Sequence, residues 1–134
     1  MSVALADRLD IQELYARWAE AIDYGDPDAW AECFTEDGSL ANELDGIDLR
    51  GRKALRAFAA EYAAGGNTSG RHWACNLIME AEGDEIRTRF YIALLMATPG
   101  DATIPRTGRY YDRLVRTPAG WRIRERVARI DPIS

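Results

Sequence analysis

One histidine stands among the 134 residues of this chain: His72, in the stretch RHWACN from Arg71 to Asn76. The ordinary imidazole pKa lies near neutrality, so a histidine on a pocket wall can take and return a proton without help from a cofactor. On strand alternation His72, Ala74, Asn76 and Ile78 share one face, opposite Trp73, Cys75, Leu77 and Met79. Two polar groups therefore sit on a face that also carries apolar residues. An Asp that accepts a hydrogen bond from one ring nitrogen fixes the tautomer, raises the basicity of the other nitrogen and stabilises the imidazolium. Asp23 is the candidate partner. It follows Ile22 at the border of the first helix's apolar stripe, where the negative end of the helix dipole disfavours a carboxylate. A satisfied core or surface histidine fits the same residue types, so composition and spacing leave both readings open.

The elements that must position these groups follow from hydrophobic period and turn chemistry. From Asp10 to Tyr24, Ile11, Leu14, Tyr15, Trp18, Ala19 and Ile22 recur at helical spacing, with Glu13, Arg17 and Glu20 on the other side. GDPDAWAECFTEDG reads as a second helix, capped by Asp26 with Pro27 at its first position and ending near Gly38. Asp45-Gly46 suits a type I′ hairpin turn, and RKALRAFAAEYAAGG gives a third helix stopped by paired glycines. Strands are expected at His72 to Glu80, Glu85 to Ala97, Ile104 to Arg116 and Trp121 to Ile130, joined by turns as an antiparallel meander. Helices first and sheet afterwards mean an α+β fold, with helices packed on one face of a curved sheet.

The length of 134 residues suits one domain spanning 1–134, and 47% hydrophobic with 29% charged residues is ordinary for a soluble globular protein. The longest apolar run, Tyr91 to Ala97, is too short to span a bilayer, and MSVALADRLD lacks the basic-then-apolar pattern of a secretory signal. A cytoplasmic location with no membrane partner is the expectation. The formal charge of −5 argues against a general affinity for nucleic acid. Cys33 and Cys75 read as free thiols, and with a single histidine no conventional zinc site can be assembled, so no metal is expected.

Motifs for other chemistries are missing or malformed. GIDLRGRK, Gly46 to Lys53, puts Arg52 where a P-loop needs its lysine, and Ala54 follows Lys53, so cation and hydroxyl are both misplaced and the stretch reads as a hairpin leading into a helix. No GxGxxG supports a dinucleotide and no GxSxG a covalent hydrolase; no cofactor is expected. In WRIRERVAR, alternation sets Arg122, Arg124 and Arg126 on one face and Trp121, Ile123 and Val127 on the other, a solvated or subunit-facing arginine stripe, with an anion site as the alternative. Trp18, Trp30, Trp73 and Trp121, with Tyr15, Tyr91, Tyr110 and Tyr111, read most simply as core, although a cavity for an aromatic or polycyclic molecule would use the same residues.

The succession IQELY (Ile11 to Tyr15), Asp23, FTEDG (Phe34 to Gly38), HWACN (His72 to Asn76) and GRYYDRLVRTPAGWRI (Gly108 to Ile123) resembles the SnoaL-like branch of the NTF2-like superfamily. Within it the chain is most similar to the scytalone dehydratase and hexachlorocyclohexane dehydrochlorinase group. The resemblance implies a cone-shaped α+β barrel, a strongly curved, mostly antiparallel mixed sheet wrapped around the helices and enclosing an apolar pocket. It implies a catalytic Asp-His dyad at Asp23 and His72, with the histidine as base, and substrate-binding positions at Asn76 and Tyr111, to which Tyr15 is added as a hydroxyl donor. Counting from Trp121, the group's last-strand arginine falls on Val127, with Arg126 and Arg129 nearby, and the second active-site histidine of scytalone dehydratase has no counterpart. The function so implied is a cofactor-independent lyase or isomerase acting on a small apolar cyclic molecule, by dehydration, double-bond isomerisation or polyketide-type cyclisation. An epoxide hydrolase, or a non-catalytic module like the β subunits of ring-hydroxylating dioxygenases, are the alternatives. Relatives of this fold also imply a homodimer or homotrimer through the open sheet face.

Overall fold

The computed structural model describes residues 2–66 and 69–132. Three helices, α1 (Leu5–Asp23), α2 (Pro27–Glu32) and α3 (Arg52–Ala64), accompany six strands: β1 (Phe34–Asn42), β2 (Ile47–Arg50), β3 (Gly70–Glu82), β4 (Glu85–Thr98), β5 (Asp101–Thr117) and β6 (Gly120–Ile130). The strands form one sheet in the order β2-β1-β6-β5-β4-β3. β3 to β6 are the expected antiparallel meander; β1 then returns parallel to β6, and β2 pairs antiparallel with β1. The fold is α+β with a mixed sheet that does not close, β2 and β3 being its edges. No helix among the described residues is long and apolar enough to cross a membrane.

The apolar stripe of α1 does what its spacing predicts. Ile11, Leu14, Tyr15, Trp18, Ala21 and Ile22 are buried against the sheet, and Asp23 is buried with them. Phe34, Leu55, Leu114 and Ile123 have no exposed surface at all and form the centre of the core with Ile11. Burial of this apolar area is the main force holding helices to sheet, at roughly 25 cal/mol per Å².

Four local features depart from the sequence expectation. The second helix is one and a half turns long rather than reaching Gly38: Asp26 caps it as expected, accepting from the Ala29 N–H at 3.1 Å, but FTEDG belongs to β1. Parallel pairing of Phe34 with Ile123, and burial of the Phe34 ring against Trp30 at 5.0 Å, outweigh continued helix. The turn at Asp45-Gly46 spans four residues, closed by the Gly46 N–H on the Glu43 carbonyl, and only Gly46 has a positive φ (67°), so it is not type I′.

The other two departures are β-bulges, and they matter for function. In β3 the register slips between Cys75, opposite Tyr91, and Ile78, opposite Arg89, with Asn76 in the left-handed region at φ 59°. In β6 it slips between Ile123, opposite Leu114, and Glu125, opposite Arg113, leaving Arg124 as the extra residue. Each bulge moves every later side chain to the other face.

Gly108 shows how tightly β5 and β6 are joined. A Cβ there would lie 2.5 Å from the Arg129 carbonyl oxygen and 2.9 Å from the Ile130 Cα, both backbone atoms that cannot rotate away. Gly108→Ala is expected to destabilise the fold by about 1–3 kcal/mol, read as a lower urea midpoint at an unchanged m-value.

Candidate functional site

The end of α1 and the start of β3 meet at one carboxylate. The His72 Nδ1 lies 2.6 Å from Asp23 Oδ1, and the His72 backbone N–H donates to both carboxylate oxygens, at 3.1 and 3.0 Å. Asp23 thus holds backbone and ring of the same residue. With Nδ1 engaged by a carboxylate, the proton of neutral imidazole resides on Nδ1, and Nε2 keeps its lone pair. The indole of Trp18 meets the imidazole edge-on at 5.6 Å and Tyr62 packs at 6.2 Å, which fixes the ring plane. Both side chains of the pair are nearly buried, at 14% and 6% exposure.

The histidine forms part of the wall of a cavity of about 130 Å³ between helices and sheet. Its walls are mostly apolar and aromatic, Trp18, Ile22, Trp30, Phe58, Ile92 and Leu94 among them, with polar groups supplied by Tyr62, Tyr110, Arg106 and Arg126. Burial raises the pKa of the Tyr62 hydroxyl, helped by the charge of Asp23, and burial likewise raises that of Tyr110. Both phenols stay protonated and able to donate across the neutral range. At the more solvent-exposed end Arg106 reaches from β5 to Asp45 in the β1–β2 turn, with contacts of 2.8 and 2.7 Å. Arg106 holds the Asp45 carboxyl below its usual range.

Arg126 is the residue that the sequence misplaced. Far from belonging to a solvated stripe, its side chain has no exposed surface, and neither has that of Asp112, to which it is bound in a fork at 2.8 and 2.7 Å. The bulge at Arg124 is the reason: Arg124 and Glu125 both point outward, and the phase of β6 is inverted from Arg126 onward. The guanidinium lies 4.4 Å from the ring centre of Trp18 and 4.5 Å from that of Tyr110. Burial opposes its charge, but Asp112 beside it more than offsets this, so its pKa ends above the ordinary value.

Of the residues expected at the site, the structure brings together Asp23 and His72. Tyr15 is buried close by but committed elsewhere: its hydroxyl donates to Asp112 at 2.8 Å and shares a 2.5 Å hydrogen bond with Thr88. Asn76 and Tyr111 do not reach the cavity. Asn76 is exposed at the β3 bulge, on a surface groove between α1 and β3. Tyr111 faces outward at 37% exposure, and Trp73 and Tyr91 are likewise exposed rather than core. The phase of β5 could have revealed this: Leu114 must face the core, so Asp112 and Tyr110 face it too and Tyr111 cannot. Val127 also lies off the cavity, its inward place taken by Arg126, and Arg129 is an exposed surface residue.

Helices in front of a mixed sheet, with a buried polar pair at the head of an apolar cavity, define an NTF2-like protein. Such a protein from Novosphingobium aromaticivorans, with a cystatin-like fold, superposes with a TM-score of 0.82 at 29% identity, covering 92% of this chain and 81% of that one. More narrowly, the chain belongs to the SnoaL-like domain family, whose model matches residues 3–127. It is 34% identical over 131 residues to the uncharacterized protein Rv2910c of Mycobacterium tuberculosis, covering 95% of this chain and 88% of that one. It also resembles Rv3472, a protein of unknown function from the same species, at 36% identity and a TM-score of 0.84 over 97% of this chain and 79% of that one.

Two outcomes test this electrostatic arrangement. Asp112→Asn leaves the buried Arg126 charge without its counter-charge and is expected to cost about 3–5 kcal/mol in denaturant unfolding, whereas the paired exchange Asp112→Leu with Arg126→Met recovers most of the loss. Burial pushes the Cys33 thiol up to about 11, while Arg126 pulls the other way. Its thiolate is therefore scarce at neutral pH. Iodoacetamide at pH 7.5 should modify exposed Cys75 and spare Cys33, and Cys33 should react only as the pH approaches the raised value, as peptide mass mapping would show.

Proposed function

We propose that the protein is a cofactor-independent lyase or isomerase in which His72 is the general base and Asp23 its orienting partner. The 2.6 Å contact between Asp23 and the His72 Nδ1, on the wall of a largely apolar cavity, is the observation that supports this reading most directly. His72 Nε2 removes a proton from a carbon next to a carbonyl. The C–H bond breaks, an N–H bond forms, and the electron pair passes to the carbonyl oxygen as an enolate. Return of the proton at another carbon is isomerisation; loss of a leaving group from the β carbon is elimination. Asp23 stabilises the imidazolium in either case, and Tyr110 and Arg126, rather than Asn76 and Tyr111, are the donors suited to the developing oxyanion.

The other carboxylates near the cavity support the choice of His72 as base. Both oxygens of Asp112 are taken by Arg126 and Tyr15, and both oxygens of Asp45 by Arg106 and Asn42. Each is engaged by an arginine, which disfavours its taking a proton from water as a water-activating epoxide hydrolase needs.

His72→Ala is expected to lower turnover about 10²–10⁴-fold, the usual worth of a positioned general base. Asp23→Asn should lower it less, because the amide still accepts the His72 backbone N–H while losing the charge that favours imidazolium. The measurement is NMR in D₂O on a panel of cyclic ketones, β-hydroxyketones and β-haloketones, following exchange, migration or elimination. Equal rates for wild type and His72→Ala on every compound that the wild type converts would remove His72 from the chemistry.

A further inference from the structure

Strand register places a second oriented polar group beside the histidine. His72 on β3 stands opposite Leu94 on β4, and Leu94 stands opposite Arg106 on β5. Residues directly opposite in an antiparallel ladder project from the same face, and all three line the same cavity. His72 and Arg106 are therefore two strands apart, roughly 10 Å at the backbone, with one leucine between them. Each is held by a carboxylate from outside the meander. Asp23 at the end of α1 meets the His72 Nδ1 at 2.6 Å, and Asp45 in the β1–β2 turn accepts from Arg106 Nη1 and Nη2 at 2.8 and 2.7 Å.

The guanidinium has bonding capacity left over. It carries five N–H donors, and Asp45 takes one from each terminal nitrogen; among the described residues Arg106 makes no other hydrogen bond. Whereas the Arg126 side chain has no exposed surface, that of Arg106 is 40% exposed, so an entering molecule can reach it. Buried Trp18, Trp30 and Leu40 form the floor of the cavity, and half-buried Phe58, Leu94 and Arg106 stand nearer its rim. A guest thus sets an apolar body on the floor and meets a donor at the rim.

Charge and size describe that guest. Asp45 already neutralises Arg106, and Asp23 adds a negative charge beside neutral His72, so an anion would have to compete with one carboxylate and approach another. A neutral oxygen meets neither obstacle. The volume of about 130 Å³ is close to the roughly 150 Å³ cavity that holds a single benzene ring. Side chains standing perpendicular to the sheet keep the roughly 10 Å spacing, and a contact of about 3 Å at each end leaves about 4 Å for the guest, enough for one substituted ring.

We infer that Arg106 is a substrate-binding residue that selects a neutral one-ring molecule bearing a second oxygen function, a hydroxyl or carbonyl, in addition to the carbonyl that activates the carbon at His72. This rests on the proposed function for the site and adds the class of substrate. Asp45 is the positioning residue of this pair, as Asp23 is of the other.

NMR titration with three rings tests the assignment. 4-Hydroxycyclohexanone should bind about tenfold tighter than 4-methylcyclohexanone, which has the same shape without the second oxygen, the difference worth one hydrogen bond to a charged group. 4-Oxocyclohexanecarboxylate should bind more weakly than the hydroxyketone. Arg106→Met should erase the tenfold difference by weakening the hydroxyketone, and Arg106→Lys should restore part of it. Asp45→Asn, which leaves the guanidinium charge without its partner, should reverse the order and make the carboxylate the tightest of the three. An ion pair that only fastens the β1–β2 turn to β5 would instead shift all three rings together in each variant. Equal binding of the hydroxy and methyl ketones by the wild type, a difference that survives Arg106→Met, an unchanged order in Asp45→Asn, or no binding of any ring overturns the inference. The wild-type comparison decides by itself where a variant fails to fold. Binding is read without turnover: a hydroxyketone held through Arg106 but never converted defeats the proposed function alone, and conversion of ring ketones with no preference for a second oxygen defeats this inference alone.

Discussion

The desolvated pairing of Arg126 with Asp112 is the constraint around which the rest of the molecule is arranged. Two full charges with no solvent contact are tolerable only where the pairing geometry is good. Here the fork is bidentate, Tyr15 brings a hydroxyl from α1 to the same carboxylate, and Thr88 from β4 bonds that hydroxyl in turn. One helix and three strands therefore converge on a single polar knot inside an apolar core. Aromatic rings of Trp18, Tyr110 and Phe90 surround the guanidinium and give it a polarisable environment in place of water.

The knot also shapes the cavity. Space enclosed by aliphatic and aromatic side chains would ordinarily collapse, since close packing gains dispersion energy and empty volume forfeits it. Tyr110 and Trp18, braced against Arg126, and the Arg106 to Asp45 ion pair hold the walls apart. Around His72 the lining is mostly apolar and aromatic, and charges and dipoles act more strongly in such surroundings than in bulk water.

Much of this was legible in the residues. The stripe of α1, the Asp26 cap, the paired glycines after α3 and the meander of four strands all follow from local period and turn chemistry, because those are short-range effects. Asp23 stood out as a carboxylate at an unfavourable helix end, and the resemblance to the SnoaL-like family named its partner. What alternation missed was the phase of β3 after Cys75 and of β6 after Ile123. A bulge is chosen by the pairing of two strands, and nothing in WRIRERVAR marks Arg124 as the extra residue. Asn76 carried a partial signal, being among the residue types that tolerate a positive φ. The same inversion hid Arg126 and put Asn76 outside.

The contact between Asp23 and β3 also concerns the margin of the sheet. β3 is an edge of an unclosed sheet, and edge strands present unpaired N–H groups on which another chain can add a strand. At His72 that donor is already consumed by both oxygens of Asp23. A few residues on, the left-handed Asn76 breaks the straight run of the edge. The carboxylate that holds the imidazole thus also occupies a backbone donor on the open margin of the sheet, so that losing it would free a ring nitrogen and an edge N–H at once.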